Sequence, residues 1–198
     1  MRYSSIHKQE TKARLLNEAA RALRLRGPEG VGVNKIMAKA GLTHGGFYAH
    51  FPSRDALIAQ AIDTVFDQVK GRFFDRAPPG TDPRAELRDI IGRYVSGDHR
   101  DMREAGCPLP ILSADMGRMQ PQSRERFGAG VAQALDKLAA LLSRVGVDDA
   151  KMAASAALSE MVGAVALSRA VADPTQSDDL LKQVRKNLRQ RFGLHRAS

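Results

Sequence analysis

Apolar residues recur at intervals of three and four along almost the whole chain, and the strict alternation that marks a β-strand is nearly absent. The stripe Ile58, Ile62, Val65, Val69 and Phe73 is a clear case. This spacing places apolar side chains on one face of an α-helix. We therefore predict an all-α fold of about nine helices, near residues 8–26, 34–40, 44–50, 53–76, 83–97, a short one opening at 108, 122–145, 149–172 and 176–192.

A cluster of Pro and Gly, Ala77-Pro78-Pro79-Gly80, interrupts this helical pattern more clearly than any other segment. Pro lacks a backbone donor and Gly relaxes the backbone, so such a cluster ends a helix and begins a loop. We predict an N-terminal domain over residues 1–54, a long connecting helix over 54–76, and a larger helical domain over 77–198.

The formal charge of +9 is concentrated at the two ends of the 198-residue chain. Residues 1–54 contain 10 Lys and Arg against 3 Asp and Glu, residues 55–181 contain 15 against 19, and residues 182–198 contain 6 against none. A basic excess in a folded protein indicates a polyanionic partner, nucleic acid before anionic membrane. Lys and Arg also decorate the solvated faces of ordinary helices, so the charge identifies a binding surface only together with a motif.

Cysteine usage and hydropathy indicate the compartment. The chain has one Cys, which excludes an internal disulfide, and it has no Cys-x-x-Cys pair for a metal or redox site. No apolar run of 18 or more residues and no signal-peptide pattern are present, and the sequence is charged from its beginning. We predict a cytoplasmic protein that does not bind membranes.

Residues 34–51, NKIMAKAGLTHGGFYAHF, combine two short helical segments with a three-residue turn that begins at Gly41. Because Gly adopts a positive φ without steric cost, the arrangement predicts a helix-turn-helix. We expect Thr43 to cap the second helix, the one that enters the major groove of DNA in this motif, and Phe51 to lie in the core. Adjacent glycines each cost about 1 kcal/mol in an ordinary helix, and close approach of the backbone to DNA would explain them.

The segment from Gly41 to Leu57, GLTHGGFYAHFPSRDAL, resembles the DNA-binding domain of the tetracycline-repressor (TetR) family of bacterial transcription regulators. The resemblance extends over roughly residues 8–58, and the length and helical layout of the chain are similar to those of two-domain members. It implies a ligand-responsive, sequence-specific regulator, most simply a repressor that a small effector releases from its operator. Met37 departs from the Ala that is common there, so we expect altered packing between the two motif helices.

The resemblance also implies which residues touch DNA. Those similar to phosphate-contacting or charge-neutralising positions are Lys35, Thr43, Tyr48, His50 and Arg54. Those at base-reading positions are His44, Gly45 and Gly46. Hydroxyl groups donate to phosphate oxygens and cations release counterions, whereas an imidazole donates to a purine N7 or O6. Glycines cannot read bases through a side chain, so we expect DNA shape to contribute to recognition.

For the second domain, the resemblance implies an effector pocket and a homodimer. The candidate pocket residues are Tyr94, Cys107, Phe127, Val131 and Met161, each of which also suits a plain hydrophobic core. The dimer is expected to form through the last two long helices, and the small residues of the stretch 153–164 favour close helix approach. Two-fold symmetry then implies a near-palindromic operator.

Cys107 supports two interpretations. Pro is favoured at the first position of a helix, so Gly106-Cys107-Pro108 predicts Cys107 as an N-cap, where the helix dipole and the nearby Arg103 lower the pKa of the thiol. The chain would then be a regulator that senses oxidants or electrophiles. The alternative is a buried, inert residue near the effector pocket.

Two further classes of function were weighed. The chain has no Gly-x-Ser-x-Gly, His-Glu-x-x-His or Walker motif, so we predict no enzyme, no catalytic residues, no cofactor and no metal site. Asp98, His99 and Asp101 lie in a polar stretch that we interpret as a surface loop. An architectural protein that binds DNA without sequence preference would explain the charge, but it would not explain an acidic, helix-rich second domain.

Overall fold

The computed structural model describes residues 2–194, with side chains from Ile6 onward. Over this range the chain forms nine α-helices, three short 3₁₀ helices and no strand, which confirms the all-α class. The α-helices are α1 (Arg2–Arg26), α2 (Val33–Lys39), α3 (Arg54–Phe73), α4 (Pro83–Tyr94), α5 (Gly97–Asp101), α6 (Leu109–Met116), α7 (Pro121–Val145), α8 (Ala150–Ala170) and α9 (Pro174–Arg191). The 3₁₀ helices are Pro28–Gly30, His44–Ala49 and Arg103–Ala105.

The chain divides into two compact units. The N-terminal unit comprises the chain up to Gln68 together with Ile111–Gly130, and the C-terminal unit comprises Val69–Pro110 together with the chain from Val131 onward. Helices α3, α6 and α7 each contribute residues to both units. The functional limits that the sequence predicts, at residues 54 and 77, stay a prediction.

The core of the N-terminal unit forms on the predicted apolar face of α1. Leu15, Ala19, Ala20 and Leu23 are fully buried, whereas Leu16 is half-buried. The helix ends at Gly27, whose φ of +66° suits the residue without a side chain. Ser53 caps α3, because its hydroxyl accepts a hydrogen bond from the Ala56 amide at 3.1 Å.

The C-terminal unit is built around α8 and α9. Asp149 and Asp173 cap these two helices by accepting bonds from the amides of Met152 and Thr175. Several of the small residues expected to face a second subunit are buried inside this unit instead: Ala154, Ala157 and Ala164. Part of the small-residue stretch therefore serves packing within one chain, and only the opposite side of α8 is free to serve a dimer.

Three local predictions need correction. The segment predicted as a short helix over 44–50 is a 3₁₀ helix over His44–Ala49, since two adjacent glycines favour the α-helix poorly. The stretch interpreted as a surface loop is the short helix α5, capped by Ser96, and its His99 is buried. The helix after Cys107 begins at Leu109, so Cys107 lies outside the N-cap position.

Helix α8 is long and apolar enough to cross a membrane by length and composition alone. Its seven buried residues lie on one face and include Leu158, Met161 and Val165. Core helices of folded domains bury one face in this way. Packing within the unit therefore explains the apolar composition of α8, and a membrane is not needed to explain it.

Candidate nucleic-acid interface

The turn between α2 and the His44–Ala49 segment has the predicted geometry. Gly41 has a φ of +72°, which confirms the role assigned to this glycine. The chain then reverses, and the Leu42 amide donates to the Met37 carbonyl at 2.9 Å. Thr43 is extended and its hydroxyl makes no capping bond, contrary to prediction, so this exposed hydroxyl remains available to another acceptor.

Two aromatic side chains anchor the His44–Ala49 segment. Phe47 is 2% exposed and Phe51 is fully buried, and their ring centroids are 5.7 Å apart. The Tyr48 ring stands against Phe47 edge to face but is itself 66% exposed. This anchoring points the phenol outward, and His44 is exposed beside it with its ring 6.3 Å away. Tyrosine at a wet surface with an apolar base suits binding to a polar partner.

Neither packing within the protein nor backbone conformation requires glycine at Gly45 or Gly46. A Cβ built on Gly45 would meet nothing within 4 Å, and one on Gly46 would only touch the Met37 methyl group at an ordinary 3.6 Å. Neither residue has a positive φ. The large Met37 side chain, unusual for the family that the sequence resembles, fills the space beside Gly46 and is fully buried. The missing side chain of Gly45 therefore leaves room on the solvent side of the segment and not inside the protein.

Lys35 and His44 line one open groove of about 600 Å³, although they belong to different elements. Arg26 and Asn34 line the same groove, with Glu29 as its acidic member. In the sequence, closeness to the motif is the sole signal that marks Arg26 and Asn34.

Arg54 makes two internal hydrogen bonds that the sequence does not predict, and its predicted contact with phosphate stays a prediction. Its Nε donates to the Val31 carbonyl at 2.9 Å and its Nη2 to the Pro28 carbonyl at 2.6 Å. The guanidinium thereby fastens the connection between α1 and α2 to the start of α3. This half-buried side chain is a positioning residue for the motif, and its charge is already engaged by two backbone carbonyls.

His50 lies at the junction with α1. Burial lowers the pKa of its imidazole, and the nearby ammonium groups of Lys8 and Lys12 lower it further. Lys12 also lies 5.4 Å from the centroid of the Phe51 ring, a cation–π distance. Lys8 and Lys12 are four residues apart on α1 and so share one face. These two lysines add positive charge beside His50, and no motif in the sequence marks them.

Comparison with known proteins identifies this arrangement. Residues 15–61 match the family model described as bacterial regulatory proteins, tetR family. An uncharacterized HTH-type transcriptional regulator of Mycobacterium tuberculosis is 29% identical over 195 residues, covering 91% of this chain and 95% of the relative. The HTH-type transcriptional repressor KstR of Rhodococcus jostii is 24% identical over 169 residues, which is 85% of this chain and 75% of KstR.

A solved structure extends the similarity to the whole fold. A TetR transcriptional regulator from Chloroflexus aurantiacus superposes with a TM-score of 0.80 at 23% identity, covering 98% of this chain and 97% of the other. The chain belongs to the TetR family. It is a DNA-binding transcription regulator, and the helix-turn-helix described above is the part that the family model matches.

In the C-terminal unit of this TetR-family regulator, two of the predicted effector residues meet. Tyr94 and Cys107 are both buried, and the Tyr94 hydroxyl lies beside the Cys107 thiol without a hydrogen bond of standard geometry. His99 joins them. Its Nδ1 lies 2.7 Å from the Tyr94 carbonyl, and its Nε2 accepts a bond from the Cys107 amide at 3.0 Å. We assign the proton to Nδ1, because only that tautomer satisfies both nitrogens.

Arg169 completes this cluster of Tyr94, His99, Cys107 and Arg169. Its Nε and Nη2 donate to the carbonyls of Arg100 and His99 at 2.9 and 2.8 Å, whereas its buried Nη1 has no partner in the described part of the chain. Burial lowers the pKa of the guanidinium. Arg169 is about sixty residues from Cys107 in sequence, and no motif connects it to the other three residues.

The Cys107 thiol is the reverse of the activated group predicted. Burial raises its pKa to about 11, although the Tyr94 hydroxyl and the Leu109 amide partly offset that rise. Burial likewise lowers the pKa of His99 to about 4. At neutral pH both Cys107 and His99 are uncharged.

The other three predicted effector residues occupy different surroundings. Phe127 belongs to the N-terminal unit, where its ring packs against Phe66 with centroids 5.5 Å apart. Val131 on α7 is half-buried, and Met161 on α8 is fully buried. Among the described residues, no group of three or more His, Cys, Asp or Glu could ligate a metal ion.

Proposed function

We propose that the regulator binds a near-palindromic operator through the outward side of the His44–Ala49 segment. The observation that carries this proposal is that two buried phenylalanines hold the segment in place while its polar side chains are exposed and form no hydrogen bond with the described part of the chain. Phe47 and Phe51 are buried, whereas Thr43, His44 and Tyr48 are exposed. An element that enters the major groove needs one face packed on the protein and the opposite face exposed to DNA.

Within this surface we assign two kinds of contact. Residues that contact phosphates fix the position of the protein and carry no sequence information: Lys35, Thr43, Tyr48 and the cluster of Lys8, Lys12 and His50. His44 reads a base edge in the major groove. Gly45 and Gly46 bring the backbone close to the DNA, and Arg54 acts only by positioning the motif.

Family members bind operators as homodimers, and α8 offers a face for a second copy. Exposed or half-exposed residues spaced by four, three, four, four and three form the dimer stripe: Met152, Ala156, Ser159, Gly163, Leu167 and Ala170. Met152 is 67% exposed and Leu167 is 58% exposed, which is unusual for large apolar side chains. Small residues at the centre with large apolar ones at the ends permit close helix approach.

For the effector, we propose that the cluster of Tyr94, His99, Cys107 and Arg169 forms the polar end of the binding site. The unpartnered Nη1 of Arg169 and the Tyr94 hydroxyl are donors without acceptors, and an acceptor on the ligand would satisfy both. Effector binding would then favour a dimer whose recognition segments are spaced wrongly for DNA, so the effector would release this repressor from its operator. We place the repressor in the cytoplasm.

A second function, sensing of electrophiles through Cys107, gains less support. A sensor thiol is exposed and has a depressed pKa, whereas Cys107 is 3% exposed and has a raised one. A non-specific architectural role gains less support as well, because the second unit and the exposed dimer stripe would then have no use.

The test is footprinting on the DNA upstream of the regulator's own gene, followed by affinity measurements at 150 mM salt. We expect a protected site with two-fold symmetry and a preference over unrelated DNA of about 10³-fold or more. Equal affinity for unrelated DNA of the same length would contradict specific recognition and favour the architectural alternative.

A further inference from the structure

Helices α4 and α9 border a groove of about 780 Å³ that the account of DNA binding does not use. Six cationic side chains line it: Arg88, Arg93, Lys182, Arg185, Lys186 and Arg189. The lining has one carboxylate, Asp89, which is already paired with Arg93. We call this feature the α4–α9 groove.

Most of the positive charge in the α4–α9 groove is uncompensated. Arg185 donates to the Val95 carbonyl, and Arg93 donates to the Phe73 carbonyl in addition to its pairing with Asp89. Within residues 6–194, the other four cations form no salt bridge: Arg88, Lys182, Lys186 and Arg189. Residues 55–181 contain more acidic than basic residues, whereas four of the six basic residues after position 181 line this groove.

The cations also crowd one another on α9. Lys182 and Lys186 are four residues apart, as are Arg185 and Arg189, a spacing at which like charges destabilise a helix. Burial lowers the pKa of Arg185, and the positive charge of Arg189 lowers it further, whereas Asp178 acts in the opposite direction. Cations near a helix C-terminus interact favourably with the dipole, but only within the last turn. Lys182 and Arg185 lie before that turn, so the dipole does not account for them.

Two of the arginines that line the α4–α9 groove have donors without an acceptor among the described residues. The Nε atoms of Arg93 and Arg189 are buried and have no hydrogen-bond partner. A Cβ on Gly92 would lie 3.1 Å from Nη2 of Arg189, so the missing side chain at Gly92 leaves room for that guanidinium against α4. Arg84 fixes the end of α9 by donating to the Phe192 and Gly193 carbonyls at 3.3 Å. The wall of the groove is therefore fixed before any ligand arrives.

We propose that the α4–α9 groove binds a small molecule carrying two or more phosphate groups. Four free cations match a ligand of several negative charges, and guanidinium groups donate to phosphate oxygens in pairs. A concave site of this volume suits a small ligand. The ligand is distinct from the effector assigned to the Tyr94 cluster, so each proposal can fail without the other.

The test uses the full-length protein, with inorganic tripolyphosphate as the probe, in calorimetric titrations at 150 mM NaCl. The wild type should bind one tripolyphosphate per chain. The double variant Lys182→Gln/Lys186→Gln, whose two residues are exposed and whose folding should be unaffected, should bind about tenfold more weakly. The matched control Lys151→Gln/Arg124→Gln removes two exposed charges outside the groove and should change the affinity less than twofold.

Four results would overturn the proposal. The groove variant and the control could weaken binding equally, which would indicate general attraction by net charge. Lys35→Gln could abolish binding, which would place the probe on the DNA-binding surface. Sulfate or citrate at the same ionic strength could bind as tightly as tripolyphosphate. A non-operator DNA duplex could bind the wild type and fail to bind Lys182→Gln/Lys186→Gln, which would assign the groove to nucleic acid.

Discussion

Two parts of the chain combine polar and aromatic residues: the His44–Ala49 segment and the cluster of Tyr94, His99, Cys107 and Arg169. They differ in whether their polar groups are exposed or are buried and hydrogen-bonded. In the segment, the aromatic residues Phe47 and Phe51 are buried and the polar side chains are exposed and uncommitted. In the cluster, both ring nitrogens of His99 are bonded and two of the three guanidinium nitrogens of Arg169 are occupied.

The difference teaches how to separate a binding surface from a structural network. Exposed polar groups that form no hydrogen bond within the protein are available to bind a partner. Buried polar groups that are bonded to the backbone chiefly stabilise the fold. Only the leftover donors of the cluster, the Arg169 Nη1 and the Tyr94 hydroxyl, remain for a ligand. The predictions below test this division.

The dimer stripe of α8 belongs with the uncommitted surfaces, so changing it should affect function more than folding. Gly163→Arg adds a side chain where a Cβ would meet nothing within 4 Å, so the monomer should fold normally. The charge would be desolvated in a two-fold interface, and we expect monomers at micromolar concentration and a loss of operator affinity of about 100-fold or more. Light scattering coupled to size exclusion measures the first effect.

The control for that variant is Ala140→Arg, an exposed position on α7. It should leave the mass and the operator affinity unchanged. A dimeric Gly163→Arg protein with normal affinity would remove α8 from the interface.

The buried cluster should control stability in acid. Because the pKa of His99 is about 4 when folded and about 6.5 when unfolded, the unfolded chain binds more protons between these values. The contribution of His99 to the unfolding free energy should therefore be complete above pH 6.5 and should decline by about 2–3 kcal/mol as the pH falls to 4.5.

Urea titrations at pH 7.5 and 4.5 measure this loss. His99→Asn should be less stable at pH 7.5 but should show a smaller decline toward pH 4.5. His7→Asn, at an exposed histidine, is the control and should follow the wild type. Identical declines for all three proteins would show that His99 is not buried in its neutral form.

The phosphate and base contacts should differ in their dependence on sequence. Tyr48→Ala should weaken binding about tenfold on every operator variant, because it removes a phosphate contact. His44→Ala should weaken binding to some base substitutions and not to others. Competition assays on a set of single-base operator variants distinguish the two patterns, and the same uniform loss for both proteins would contradict the division of labour.

The thiol of Cys107 should react slowly, which is the smallest functional effect that we expect. With a pKa of about 11, its alkylation by iodoacetamide should continue to accelerate from pH 8 to pH 10 instead of levelling off near 9. Cys107→Ser should respond to electrophiles as the wild type does. Rapid alkylation of native protein at pH 7.5, or loss of an electrophile response in Cys107→Ser, would restore the sensor interpretation.

Local sequence signals predicted the N-terminal unit well. The positive φ of Gly41 and the burial of Phe51 both follow from residue types within the motif itself. The 3₁₀ form of His44–Ala49 was missed because the helical pattern was given more weight than the low helix propensity of two glycines.

Long-range partners could not be predicted. The family resemblance places Arg54 at a charge-neutralising position beside DNA, whereas the carbonyls that accept its hydrogen bonds lie more than twenty residues earlier in the chain. The same holds for Arg169 beside Cys107. Burial reverses the expected direction of the thiol pKa, and burial depends on tertiary packing that no motif in this segment encodes.

The most direct test of the central claim compares operator binding by the wild type and by Gly45→Ala. Because a Cβ at Gly45 meets no atom of the protein within 4 Å, the melting temperature should be unchanged or slightly higher. If this surface meets DNA through close backbone approach, the operator dissociation constant should rise at least tenfold. A Gly45→Ala protein that is equally stable and binds the operator as tightly as the wild type would contradict the claim.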